Sequence, residues 1–190
     1  MSHNILLQKL QHYGIRSNVY NFFQSYLSAR SQFVKIDNVK SALLNVDFGV
    51  PQGSILGPLL FLIFINDLPT ATNFFIRLFA DDTFLCSQND NLILLENEVN
   101  HELEKVFIWL ASNKLTLNIG KSKFMFLSNK KKDVIQLDIR IHGKQLESCD
   151  TYKYLGVKSL IVISLGNHML ITSVGKFQKR VVHYQKLGTV

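Results

Sequence analysis

The chain has 190 residues, 47% of them hydrophobic, with a net charge of +7 and a pI of about 9.4. That length allows one domain or a piece of a larger one, and with this apolar content disorder is not the expected state. The basic balance favours a polyanionic partner over a cationic one.

The charge is unevenly placed. Residues 1–120 carry 8 Lys/Arg against 10 Asp/Glu, a balance of −2, whereas residues 121–190 carry 13 against 4, a balance of +9. A near-neutral body with a basic final third suits chemistry in one place and a grip on phosphate in another. A solvated lysine-rich surface accounts for the charge equally well.

In chain order, Ile5 to Leu10 and Val19 to Leu27 place apolar residues at helical spacing around Gly14 and Asn18, which predicts two short helices. Phe33 to Ile36 and Leu43 to Phe48 flank the turn-forming Asp37-Asn38 and predict a β-hairpin. Gly49 to Pro58 is a glycine- and proline-rich segment. Pro58 leads from it into a helix, predicted buried, that runs to about Asn66. Phe74 to Phe79 and Thr83 to Ser87 predict a second hairpin, with Ala80, Asp81 and Asp82 between its strands. Residues 91–112 predict the longest helix. Its stripe is Leu92, Leu95, Val99, Leu103, Val106 and Leu110, and Glu96, Glu98, Glu102 and Glu104 are expected to face water.

Leu115 to Asn118 and Lys123 to Leu127 read as extended, with short strands at Ile135 to Ile141 and Tyr152 to Val157. Beyond Lys158 the pattern loses clarity: Leu160 to Leu165 is apolar, and Val174 to Leu187 is basic and loosely helical. The alternation of strands and helices predicts an α+β sheet with helices on one face.

Cys86 and Cys149 show neither metal-ligand spacing nor a disulfide framework, so Cys86 is expected to be a small core residue in a reducing setting. Met1 to Asn4 lacks the start of a signal peptide. The longest apolar run, Ile55 to Ile65, is too short for a bilayer, so a soluble, intracellular chain with no membrane partner is expected.

The chemistry concentrates in two segments. Asp81 and Asp82 lie between two apolar strands, where adjacent carboxylates repel each other unless a cation sits there. A divalent metal is the natural occupant, although Asp-Asp is also an ordinary turn. The upstream segment tips the balance: Gly49, Gly53 and Gly57 with Pro51 and Pro58 make a constrained loop that opens a helix and allows a nucleotide to approach the backbone. Gln52 can contact a base or sugar edge there. A serine hydrolase is excluded by the spacing of Gly53 to Gly57, and a Walker-type loop by the lack of a glycine five residues before Gly120.

These residues resemble the reverse transcriptase domain of non-LTR (LINE-type) retrotransposons. Gly49 to Pro58, followed by Leu59-Leu60-Phe61 and Ile65-Asn66-Asp67-Leu68, is similar to that family's glycine-rich motif. Phe79-Ala80-Asp81-Asp82 is similar to its aromatic-Ala-Asp-Asp motif, with Phe where Tyr is common. Trp109-Leu110, Asn113 to Asn118 and Lys121-Ser122-Lys123 resemble the next motif, and Tyr154-Leu155-Gly156-Val157 a later strand. The resemblance covers about residues 3 to 158.

It implies a polymerase palm-like antiparallel sheet and RNA-directed DNA synthesis by two-metal nucleotidyl transfer. Asp81 and Asp82 would bind Mg²⁺ or Mn²⁺, and Lys121 would act as general acid for the pyrophosphate leaving group. Pro51, Gln52, Gly53 and Phe79 would line the nucleotide and template, and Tyr154, Leu155 and Gly156 would position the primer. The partners would be an RNA template with a DNA primer and deoxynucleoside triphosphates. Relatives carry a further essential carboxylate on a palm strand ahead of a segment like Ser2 to Leu7. Residues 1–158 are therefore expected to form a partial palm lacking its first strand, with a fingers-side hairpin at 33–48. Residues 159–190 are expected to form a degenerate basic, thumb-side tail. Polymerase activity in this chain is then expected to be low, the alternatives being a non-catalytic nucleic-acid-binding remnant or an inert relic.

Overall fold

Two helices form where apolar spacing predicts them. Helix α1 (His3–His12) buries Leu6 and Leu10, and α2 (Ser17–Leu27) buries Phe23 and Leu27. The computed structural model describes residues 1–51, 53–80, 82–128, 137–151 and 168–174. The described residues divide into two units, the first holding Met1–Asn66 and Asn113–Leu115, the second Asp67–Ser112 and the described part of Thr116–Gln178.

After α2 the first unit extends an arm of four two-residue strands, β1 (Ser31–Gln32), β2 (Lys35–Ile36), β3 (Val39–Lys40) and β4 (Leu44–Asn45). Strand β2 pairs antiparallel with β3 and β1 with β4. The turn falls at Asp37-Asn38 as predicted, with Asp37 at φ +50°. The partner strand differs. A two-residue turn sets Val39 directly opposite Ile36, so the chain resumes pairing at once rather than at Leu43. Every strand residue of the arm is exposed, so no core fixes its alternation.

Helix α3 (Leu56–Ile65) buries Gly57, Leu60, Phe64 and Ile65, but Leu59 and Leu62 are about half exposed. The expectation of a helix buried throughout is thus corrected: one face is open. The Lys9 ammonium donates to the Phe64 carbonyl at 2.7 Å, placing a cation at the negative end of the helix dipole.

The second unit starts with a 3₁₀ turn at Leu68–Ala71 and continues through β5 (Phe75–Phe79), β6 (Asp82–Gln88) and α4 (Leu92–Ser112). A second 3₁₀ turn at Ile119–Lys121 leads into β7 (Lys123–Ser128), and β8 (Arg140–Ile141), β9 (Lys144–Gln145), β10 (Glu147–Ser148) and β11 (His168–Val174) follow. The main sheet has the order β10-β7-β11-β6-β5. Strand β11 runs antiparallel to both β6 and β7, with six residue pairs to each. The sequence gives no strand at that place, because the run His168 to Val174 mixes polar and apolar residues with neither period clear. It nonetheless forms the middle of the sheet. Since β6 and β7 point the same way, one antiparallel strand between them completes both ladders.

Leu115 to Asn118, read as extended, contributes no named strand, and the strand predicted over Ile135 to Ile141 shortens to β8 within the described residues. The readings at Tyr152 to Val157, Leu160 to Leu165 and after Val174 lie outside the described residues.

Helix α4 packs against β6 and β11, with Leu95, Val99, Leu103, Val106 and Leu110 buried along the predicted stripe. Its acids depart from expectation. Glu102 is only 3% exposed. It accepts hydrogen bonds from Thr72 Oγ1 (2.6 Å), the Asn73 amide (2.7 Å) and Lys105 Nζ (2.7 Å). Glu96 and Glu104 accept the backbone amides of Asp138 and His142, and Asn100 bridges Asp138 and Arg140. That side of the helix therefore docks the 138–142 segment, whose Ile139 and Ile141 are buried. Among the described residues no helix is long and apolar enough to cross a membrane. The architecture is α+β.

Candidate active site

The acid hairpin is a tight one. Phe79 pairs directly with Asp82, and Ala80 follows Phe79 in the turn. Ala80 has φ +48°, a left-handed conformation that a residue with a Cβ adopts at a cost. Replacing Ala80 by Gly is expected to stabilise the chain by about 1 kcal/mol. Urea unfolding should show a higher midpoint at unchanged slope, and a lower midpoint would contradict a strained turn.

Side chains opposite each other in an antiparallel pair share a face. Phe79 with Asp82, Arg77 with Phe84 and Phe75 with Cys86 therefore line one face of the β5–β6 ribbon. The opposite face carries Ile76, Thr83 and Leu85, all buried. On the Asp82 face, Phe75 and Phe79 are more than half exposed, and the Arg77 guanidinium lies 4.0 Å from the Phe75 ring centroid. Beyond Phe84, this face holds a small cluster in which Phe84 and Met125 are buried, with Cys86, Leu127 and Cys149 packed against them. Both cysteines are free, and burial pushes their thiols up. Cys86 is thus the small packing residue expected.

Asp82 is half-buried at the start of β6, and its carboxylate accepts no hydrogen bond among the described residues. Asp81 lies outside the described residues. Lys121 is exposed at the end of the second 3₁₀ turn, two residues before β7. The register Phe84–Ser173–Lys123 sets β6 and β7 two strand spacings apart with the same direction. Lys121 therefore enters the sheet at the end that bears Asp82, roughly 10 Å across. Buried Ser122 fixes this approach by donating its hydroxyl to the Asn118 carbonyl at 3.0 Å.

Arg77 was not singled out from the sequence. The signal was present as the period-two series Phe75, Arg77, Phe79, which puts a cation between two aromatics on one strand face. Among the described residues no three His, Cys, Asp or Glu side chains gather as a metal cluster.

The glycine-rich turn belongs to the first unit. Pro51 is half-buried and Gly53 exposed, on either side of Gln52, which lies outside the described residues. Gly53 has φ +81° with open space where a Cβ would sit, so it is glycine for its backbone angle. Gly57 is glycine for room: a Cβ there would meet Ser54 Oγ at 2.9 Å and Val50 Cγ2 at 3.2 Å. Ser54 accepts the Gly57 amide on its hydroxyl at 3.1 Å, satisfying a donor in the first turn of α3. Tyr154, Leu155 and Gly156 lie outside the described residues.

Comparison with known proteins agrees with the motif reading. Residues 1–159 match the family described as reverse transcriptase (RNA-dependent DNA polymerase). The chain is 26% identical over 147 residues to the RNA-directed DNA polymerase from mobile element jockey of Drosophila melanogaster, covering 73% of this chain and 16% of that protein. It is also 26% identical over 168 residues to the probable RNA-directed DNA polymerase from transposon BS of the same species, covering 84% and 18%. A 50-residue stretch is 42% identical to the probable RNA-directed DNA polymerase from transposon X-element, covering 26% and 6%. The chain thus spans less than a fifth of the length of these curated relatives. No solved structure matches it. With its four ordered motifs, the chain belongs to the reverse transcriptase (RNA-dependent DNA polymerase) family, in the non-LTR, LINE-type branch.

Proposed function

We propose that this chain is a palm part of a retrotransposon polymerase that copies RNA into DNA by two-metal nucleotidyl transfer. The observation that carries the reading is Asp82 held opposite Phe79, beside the left-handed Ala80, at the sheet end that Lys121 approaches. A half-buried carboxylate with no hydrogen-bond partner among the described residues suits a hard cation that takes oxygen ligands. Asp81 and Asp82 would hold Mg²⁺ or Mn²⁺, which when bound stabilises the charge developing on the transferred phosphoryl group.

The chain's own residues supply the rest. Phe79 and Arg77 present an aromatic surface and a guanidinium to a nucleic-acid strand, Lys121 delivers a proton to the leaving pyrophosphate, and Pro51, Gln52 and Gly53 line the nucleotide and template. Tyr154, Leu155 and Gly156 support the primer end. Residues 1–158 act as a partial palm, and residues 159–190 contribute mainly positive charge.

Titration with Mn²⁺ tests the metal site. Asp81→Asn and Asp82→Asn are each expected to weaken binding by about tenfold, on the order of one lost charged ligand. Equal affinity in both variants and the parent would remove the acid pair from the mechanism. The balance of +9 after residue 120 favours a second reading, a metal-independent nucleic-acid binder. Its signature is duplex binding that falls steeply with salt and ignores both substitutions.

A further inference from the structure

We propose that the arm of the first unit, β1 to β4, is a contact for single-stranded nucleic acid, separate from the acid hairpin. Residues 30–46 carry Arg30, Lys35 and Lys40 against Asp37 alone, a balance of +2. The arm is thus a positive island on residues 1–120, whose balance is −2.

The register concentrates that charge. Lys35 stands directly opposite Lys40, and Ile36 opposite Val39. Facing side chains of an antiparallel pair lie about 5 Å apart at Cβ, where like charges destabilise the ribbon. Both lysines are exposed, and neither has a carboxylate partner among the described residues. The β2–β3 hairpin has only these two residue pairs and buries none of the four side chains, so no core offsets the repulsion. A phosphate group lying between the two ammonium groups turns the conflict into attraction.

Charge alone fits any polyanion, and the apolar side chains narrow the choice. Phe33, Ile36, Val39, Leu43 and Leu44 are each 45–74% exposed. That is a dense run of apolar surface to leave in water on so short an arm. Lys40 Nζ lies 5.2 Å from the Phe33 ring centroid, so the ring sits with the lysines, while Ile36 and Val39 alternate to the other face of the ribbon. At the root of the arm the Arg30 guanidinium lies 4.8 Å from the Tyr26 ring centroid, a second pairing of cation and aromatic. A duplex offers phosphates but hides its base faces in the stack, so it would satisfy the lysines alone. A single strand offers both, phosphates to Lys35 and Lys40 and unstacked bases to Phe33.

Fluorescence anisotropy of the 190-residue chain with a labelled single strand of about 12 nucleotides, in EDTA, tests this. Without metal the assay reads the arm independently of the acid pair, so a failure here leaves the polymerase reading to its own test. Lys35→Glu turns the like pair into an opposite one. It should hold or raise the melting temperature while weakening binding at least about tenfold. The slope of log affinity against log salt should fall by about 1.4, from two lost contacts at about 0.7 each. Phe33→Leu should weaken binding about tenfold at unchanged slope, because it removes stacking and no charge. Lys35→Glu should matter little for a duplex of the same length or for vesicles of phosphatidylcholine with phosphatidylserine. Unchanged single-strand affinity in both variants overturns the proposal. So does an equal loss for the duplex or the vesicles, which would make the arm a contact for anionic surfaces in general.

Discussion

Assayed alone on a primed RNA template with Mg²⁺ or Mn²⁺, the 190-residue chain is expected to incorporate deoxynucleotides about a thousandfold more slowly than a complete polymerase of the jockey type, equivalent to about 4 kcal/mol of transition-state stabilisation. A two-metal centre needs carboxylates that bridge or flank both ions, so that the attacking and leaving oxygens are both held. These 190 residues offer Asp81 and Asp82 but no Asp or Glu before Asp37. Strand β11, which pairs with the acid-bearing strand β6, has the sequence His168 to Val174 and contains no acid either. Among the described residues, neither strand beside β6 therefore brings a further carboxylate to Asp82. Robust incorporation that disappears in Asp81→Asn would show that the pair suffices, and would overturn this expectation.

The parts of the molecule that could be read from sequence are those where a single period or a special backbone angle dominates. The α4 stripe and the β5–β6 hairpin follow from spacing alone, and Gly53 and Gly57 mark a turn that needs glycine for two different reasons. Phe79 and Asp82 come together because the antiparallel pairing of β5 with β6 runs up to the turn. Other features depend on partners distant in sequence. Strand β11 is defined by the gap it fills between β6 and β7, not by its own pattern. Glu102 is another example, and it carries the largest expected effect on stability.

Period analysis assigns Glu102 to the solvent face of α4, but the loop Thr72-Asn73 closes over it and Lys105 supplies the counter-charge. Burial alone would push its carboxyl up. The hydrogen bonds from Lys105, Thr72 and Asn73, together with the Lys105 charge, outweigh burial and hold the group at about 2 against an ordinary 4.5. A folded value below the unfolded one means the carboxylate stabilises the fold fully above about pH 5. That contribution fades as pH falls through 4.5 toward 2, and its size is about 3 kcal/mol.

Glu102→Ala should therefore cost about 3 kcal/mol at neutral pH, because the Asn73 amide and the Thr72 hydroxyl lose their acceptor in a buried place. Glu102→Gln should cost about 2 kcal/mol, keeping an acceptor but losing the charge. Urea unfolding of the parent and Glu102→Gln at pH 7 and again near pH 2.5 provides the check, with the stability gap expected to shrink in acid. A gap that is the same at both pH values would mean the stabilisation does not come from the ionised carboxylate. The consequence reaches the proposed active site. Asn73 lies two residues before β5, so the Glu102 clamp sets where that strand begins, and through its pairing with β6 where Phe79 and Asp82 end up. Loosening the clamp should therefore weaken Mn²⁺ binding at the hairpin even though Glu102 is not a ligand of the metal.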